Sequence, residues 1–159
     1  MRDKTPIRSA LLSGSVLQQS VNSGLHALTK AHRSYVDPDI RDGFADSLDI
    51  DAGLKAGHPQ EHRWDYLLGL TDRRVVVGFE PHSAKQGEIS IVISKRRAAL
   101  DQLRGHLRQG VRVNEWFWVA SGQVHFANTE KARLSLDQHG ITFVGTRLQS
   151  KHIAPKDSK

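Results

Sequence analysis

The amino-acid sequence predicts one α/β domain of three layers, a mixed central sheet with helices on its faces, in the order α-β-β-β-α-β-α-β. Three observations lead there. Leucines recur at helical spacing near the start of the chain. Short runs rich in β-branched and aromatic residues follow from residue 62. Two helix-to-glycine-to-strand junctions, at Gly110 and Gly140, read as crossovers between parallel strands. The 159 residues, 38% of them hydrophobic, suffice for one core, and no stretch reaches the ~18–20 apolar residues of a membrane span. The domain is expected over 15–149, between a flexible tail at 1–14 and a basic tail at 150–159.

The first helix is expected over 15–34, where Leu17, Val21, Leu25 and Leu28 share a face. Asp37-Pro38-Asp39 ends it, because a residue before proline is pushed out of the helical region. Residues 37–61 read as a long polar link carrying six aspartates. Its start looks like a calcium loop, but Arg41 and Leu48 fall where ligands are needed, which excludes an EF-hand. Trp64 to Leu70, Arg74 to Glu80 and Glu88 to Ser94 read as three strands separated by turn residues, so antiparallel neighbours are expected. Ser94 then caps a helix to about Gln109, with Leu100, Leu103 and Leu107 on one face. Val113 to Ala120 reads as a strand whose Trp116-Phe117-Trp118 alternates between two buried faces. A helix from Asn128 or Thr129 to about Gln138 and a strand over Ile141 to Val144 complete the order.

There are no cysteines, which removes disulfides, thiol catalysis and cysteine metal sites together. The opening residues lack the apolar stretch of a secretory signal, and a cytoplasmic setting is expected. A net charge of +6 favours a polyanionic partner. From 93 to 112, Lys95, Arg96, Arg97, Arg104, Arg108 and Arg112 face a single acid, Asp101. A helix face tracking a phosphate backbone has this composition, as does a solvated outer face.

Asp65 lies in a strand run, where an aspartate is disfavoured and costly if buried alone. It either faces water at an edge or meets a cation or a hydrogen-bonded turn. Glu80 and His82 are two apart, so they project to one side of an extended chain, and Pro81 between them is expected to end or bulge the pairing. A turn centred near Asp72 brings residue 65 opposite 79 or 80. Two carboxylates on strands ~4.8 Å apart resist ionising together unless a cation lies between them. Oxygen ligands of this kind suit Mg²⁺ or Mn²⁺, and His82 tilts the preference toward Mn²⁺. No phosphate-cradling glycine loop and no nucleophile elbow occurs.

Over roughly residues 15–120 this arrangement resembles the PD-(D/E)XK nuclease superfamily, the restriction-endonuclease-like fold, in Arg63-Trp64-Asp65-Tyr66 and Glu80-Pro81-His82. The resemblance implies a core of a helix, three meandering strands, a helix and a further strand. It makes Asp65 and Glu80 the metal-holding acids of a phosphodiester hydrolase acting on nucleic acid. His82 stands where that pattern has lysine, and Lys95 on the following element is the lysine able to take its role. Arg96, Arg97, Arg104 and Arg108 would bind the nucleic acid. The opening helix lacks the glutamate many members contribute, and Asp46 or Asp49 would substitute. The alternative is a non-catalytic module on a degenerate nuclease fold, binding nucleic acid or a protein.

Overall fold

The computed structural model describes residues 5–85, 87–124 and 130–154. The chain enters through α1 (Pro6–Ala10) and a 3-10 turn at Val16–Ser20 into β1 (Val21–Ser23). Then come α2 (Lys30–Arg33) and a second 3-10 turn at Pro38–Gly43. β2 (Phe44–Asp49), α3 (Ile50–Leu54), β3 (Tyr66–Leu70) and β4 (Val75–Ala84) follow. The chain continues with α4 (Glu88–Leu103), β5 (Glu115–Val124), α5 (Glu130–Gln138), β6 (Ile141–Phe143) and α6 (Ser150–Ile153).

All six strands form one mixed sheet in chain order, so the class is α/β. β1 to β4 form an antiparallel meander, and β5 and β6 add in parallel after α4 and α5. Alternation along the strands sends side chains to two apolar clusters, one per face. Leu67, Val76, Trp116, Trp118 and Ala120 join Val92, Ala99 and Leu103 of α4. Tyr66, Leu68, Val77, Phe79, Phe117 and Val119 join the second cluster. The tryptophans of Trp116-Phe117-Trp118 therefore share one buried face and Phe117 takes the other, as the alternation requires. No described helix is long and apolar enough to cross a membrane.

Four expectations are corrected. Glu88 to Ser94 is not a third strand; it opens the sixteen-residue α4, and Ser94 lies inside the helix instead of capping it. Ile89, Val92, Ile93 and Ala99 pack on the sheet at helical spacing, and that burial overrides the strand preference of the β-branched run. The 15–34 helix is broken. Leu17 and Val21 enter one cluster while Leu25 and Leu28 enter the other, so the segment wraps the sheet edge. Gly24, at φ 53°, makes the turn between them.

The 37–61 link contains β2, an interior strand whose polar residues are buried and satisfied. Asp46 accepts the backbone N–H groups of Ile7 (3.0 Å) and Arg8 (3.3 Å), and Ser47 accepts that of Ala27 (3.0 Å). The 1–14 tail is likewise partly core, since Ile7 and Leu11 are buried and α1 packs on the meander. In the 150–159 tail, α6 covers Ser150–Ile153, and 155–159 lie outside the described residues, as do Asn128 and Thr129.

Pairing of β4 with β3 stops at Phe79, yet its pairing with β5 continues past Pro81 to Ala84. Beneath it Trp64 and Trp116 meet edge to face, centroids 5.0 Å apart. Gly78 makes room for them: a Cβ there would stand 2.5 Å from Trp116 Cε3 and 3.0 Å from Trp64 Nε1. Gly78→Ala is therefore expected to lower stability by about 1–3 kcal/mol through overpacking, measured by urea unfolding.

Candidate active site

The β3–β4 hairpin sets the site. Its register pairs Tyr66 with Phe79, which carries residue 65 opposite residue 80. The Asp65 backbone N–H donates to Glu80 Oε1 at 2.8 Å. The Asp65 carbonyl accepts from Ile50 N at 3.0 Å, so the start of α3 ties down the approach to β3. Glu80 points to the face covered by α4 and is completely buried. Lys95, two turns into α4, donates from Nζ to Glu80 Oε2 and lies 3.6 Å from Asp65 Oδ1. Moving residues 88–94 from strand to helix thus leaves Lys95 within reach of both acids.

His82 shares this face with Glu80, as two-residue spacing on a strand dictates. Its Nδ1 stands 3.4 Å from Glu80 Oε2 and its Nε2 3.3 Å from Glu88 Oε1. Glu88 also accepts from Ser83 Oγ at 3.0 Å. The His82 carbonyl accepts from Trp118 Nε1 at 3.1 Å, which ties β4 to β5 at this point. Asp65 and Glu80 therefore meet at Lys95, and His82 links Glu80 to Glu88.

Burial, then the charge of Glu80, pushes the Asp65 carboxyl up to about 7, and Lys95 opposes the rise. Burial alone would lower the Lys95 ammonium, but the charges of Glu80 and Asp65 outweigh it and raise it. Two groups that the sequence reading did not place in the site contribute. Asp51, in the first turn of α3, raises Asp65 through its charge and is itself held by Arg63 Nε at 2.9 Å. Glu88 comes from the first turn of α4, one helical face from Lys95; reading 88–103 as a helix would have exposed that i, i+7 relation.

Of Asp46 and Asp49, expected as substitutes for a helix acid, Asp46 is committed elsewhere, holding the start of α1, whereas Asp49 caps α3 by accepting from Ala52 N at 2.9 Å and lies near enough for its charge to raise Asp65. Of the four arginines, Arg96 lies over the Trp116 ring, 5.6 Å from its centroid, and is partly buried. Arg97, Arg104 and Arg108 are exposed. Arg97 and Arg104 flank a surface groove with His62 and Ser94, and Arg104 pairs with Asp101 at 3.3 Å.

Among the described residues no three Asp, Glu or His groups stand at metal-ligating spacing, and the cation reaching both carboxylates is the Lys95 ammonium. Asp65 and Glu80, converging on one positive charge, are oxygen donors of the kind Mg²⁺ and Mn²⁺ take, whereas His82 Nε2 faces Glu88 and not that pair.

The raised Asp65 carboxyl has a thermodynamic signature. Between its ordinary value of 3.8 and about 7 the unfolded chain releases this proton while the folded one keeps it. Stability contributed by Asp65 therefore falls as pH rises through that window. Asp65→Asn is expected to remove that decline, by at most about 4 kcal/mol, in urea unfolding followed from pH 4 to pH 7. An unchanged slope would show that Asp65 is ionised throughout.

Compared with protein-family models, curated proteins and solved structures, the chain matches none.

Proposed function

We propose that this protein is a metal-dependent phosphodiester hydrolase acting on nucleic acid, on a PD-(D/E)XK-type frame whose lysine comes from a helix. The observation that carries this reading is the meeting of Asp65, Glu80 and Lys95 at the end of one hairpin. The topology supports it as well. Within the four-strand meander, β2, β3 and β4 are followed by α4 and the parallel β5, as the resemblance implies for that part of the core, and Asp65 directly precedes β3.

Asp65 and Glu80 would hold Mg²⁺ or Mn²⁺, which when bound lowers the pKa of a water and offsets phosphate charge. Lys95 keeps the two carboxylates together and offers an ammonium to the negative charge that develops on phosphorus oxygens. His82, between Glu80 and Glu88, is placed to hold a proton at Nε2. Arg97, Arg104 and Arg108 would neutralise backbone phosphates along the outer side of α4 and the turn after it. A chain without cysteine suits a cytoplasmic setting.

A second reading, a non-catalytic binding module, is favoured by one observation: the Lys95 ammonium already closes onto both acids.

Plasmid DNA and RNA incubated with the protein and Mg²⁺ or Mn²⁺ are expected to be cleaved, and EDTA to stop the reaction. Asp65→Ala, Glu80→Gln and Lys95→Met should each slow cleavage by about 100-fold or more, with circular dichroism unchanged. Cleavage that survives EDTA or Asp65→Ala overturns the hydrolase. Salt-dependent binding without turnover assigns the module instead.

A further inference from the structure

Away from the acid–lysine cluster, the end of α4 leaves apolar surface uncovered. Leu12, Leu100 and Val111 are 42%, 42% and 37% exposed. With Leu103, Leu107 and Val113 they line an open groove of about 570 Å³. Three separate segments build it: the chain after α1, the last turns of α4 and the loop leading to β5. They are fixed to one another, since Leu12 N donates to His106 O at 2.8 Å and Arg108 N to Ala10 O at 2.9 Å. The groove is therefore part of the framework.

Its lining is one-signed. Arg104, Arg108 and Arg112 stand among the aliphatic side chains, and no acid lines the groove. Arg104 has Asp101 beside it, whereas Arg108 and Arg112 pair with no acid among the described residues. Exposed apolar surface bounded by polar groups marks an interaction site, and an all-cationic border selects the sign of the occupant. A nucleic-acid backbone would use the arginines but gain nothing from six aliphatic side chains. The chain's own ends are poor occupants, because 1–4 and 155–159 each carry more basic than acidic residues.

We infer that this groove docks an acidic amphipathic helix of a partner protein. Leu12, Leu100 and Val111 stand exposed at the rim over a floor of Leu103 and Val113, a groove into which an occupant helix lays aliphatic anchors at i, i+3 or i+4, and i+7. Its acidic flanks meet Arg104, Arg108 and Arg112. This inference does not rest on the hydrolase reading: the groove shares no residue with the Asp65–Glu80–Lys95 cluster, although Arg104 and Arg108 are also the arginines offered above to backbone phosphates.

Display selection of random peptides of about four helical turns, against the full chain, tests it. The expected outcome is enrichment of sequences with aliphatic residues at helical spacing and an excess of Asp and Glu. Fluorescence polarisation with one enriched peptide should show Val111→Asp and Arg112→Glu each weakening binding at least about 10-fold. The same peptide with lysine for glutamate should not bind. Both substituted residues are exposed, so circular dichroism should match the parent, and Val111→Asp should leave any nuclease rate unchanged. Enrichment of basic or uncharged peptides, absence of saturable binding, or indifference to both substitutions overturns the inference. So does oligonucleotide binding that Val111→Asp weakens as much as it weakens the peptide, or a dimer in sedimentation that Val111→Asp dissociates.

Discussion

Glu80 has no surface in water, and an ionised carboxylate in that position must find its compensation inside the protein. It receives it from three directions. The Asp65 N–H comes from the strand beside it, the Lys95 ammonium from the helix above it, and His82 from its own strand. Each partner constrains a different part of the fold. The first requires the hairpin register that pairs Tyr66 with Phe79. The second requires α4 to lie across β4 with its Lys95 face inward. Breaking such a pair leaves a buried charge behind, which costs about 3–5 kcal/mol, so hairpin and helix are coupled through one side chain.

The same logic governs the other end of the sheet. Asp46 and Ser47 are buried in an interior strand, and each is matched by backbone N–H groups of a segment with little regular structure of its own. α1 and the 24–28 turn are short and gain little from helix propensity. Their hydrogen bonds to β2 side chains hold them on the sheet. Polar residues inside β2 thus act as anchors for the chain that wraps it, and the two acids Asp46 and Glu80 have opposite consequences. One is spent on architecture, whereas the other is left beside a second carboxylate, an imidazole and a lysine.

That second arrangement holds a carboxyl away from its ordinary titration. Asp65 is held up to about 7 because burial and Glu80 both resist its charge. Groups forced together in this way cluster at functional sites as well as in structural ion pairs. Here Lys95 satisfies the pair electrostatically, while His82 Nε2 has no hydrogen-bond partner and stands 3.3 Å from Glu88 Oε1. The arginines divide in a similar way. Arg96 is absorbed by Trp116, while Arg97, Arg104 and Arg108 remain on the outside.

Much of this was written in local sequence. The turn at residues 71–73 between two β-rich runs determined the β3–β4 hairpin, and a two-residue spacing determined that Glu80 and His82 share a face. Both follow from chain geometry over a few residues. The Trp116-Phe117-Trp118 alternation and the strand after Gly140 were legible for the same reason. What only the tertiary structure decided was which preference lost. Residues 88–94 carry β-branched side chains suited to a strand, but burying Ile89, Val92 and Ala99 against the sheet requires a helix. β2 reads as polar because its partners, the N–H groups of Ile7, Arg8 and Ala27, lie twenty to thirty-nine residues away. Asp51 and Glu88 joined the site by the same route. Their proximity to Asp65 and His82 is set by how α3 and α4 pack on the sheet, a distance no local pattern encodes.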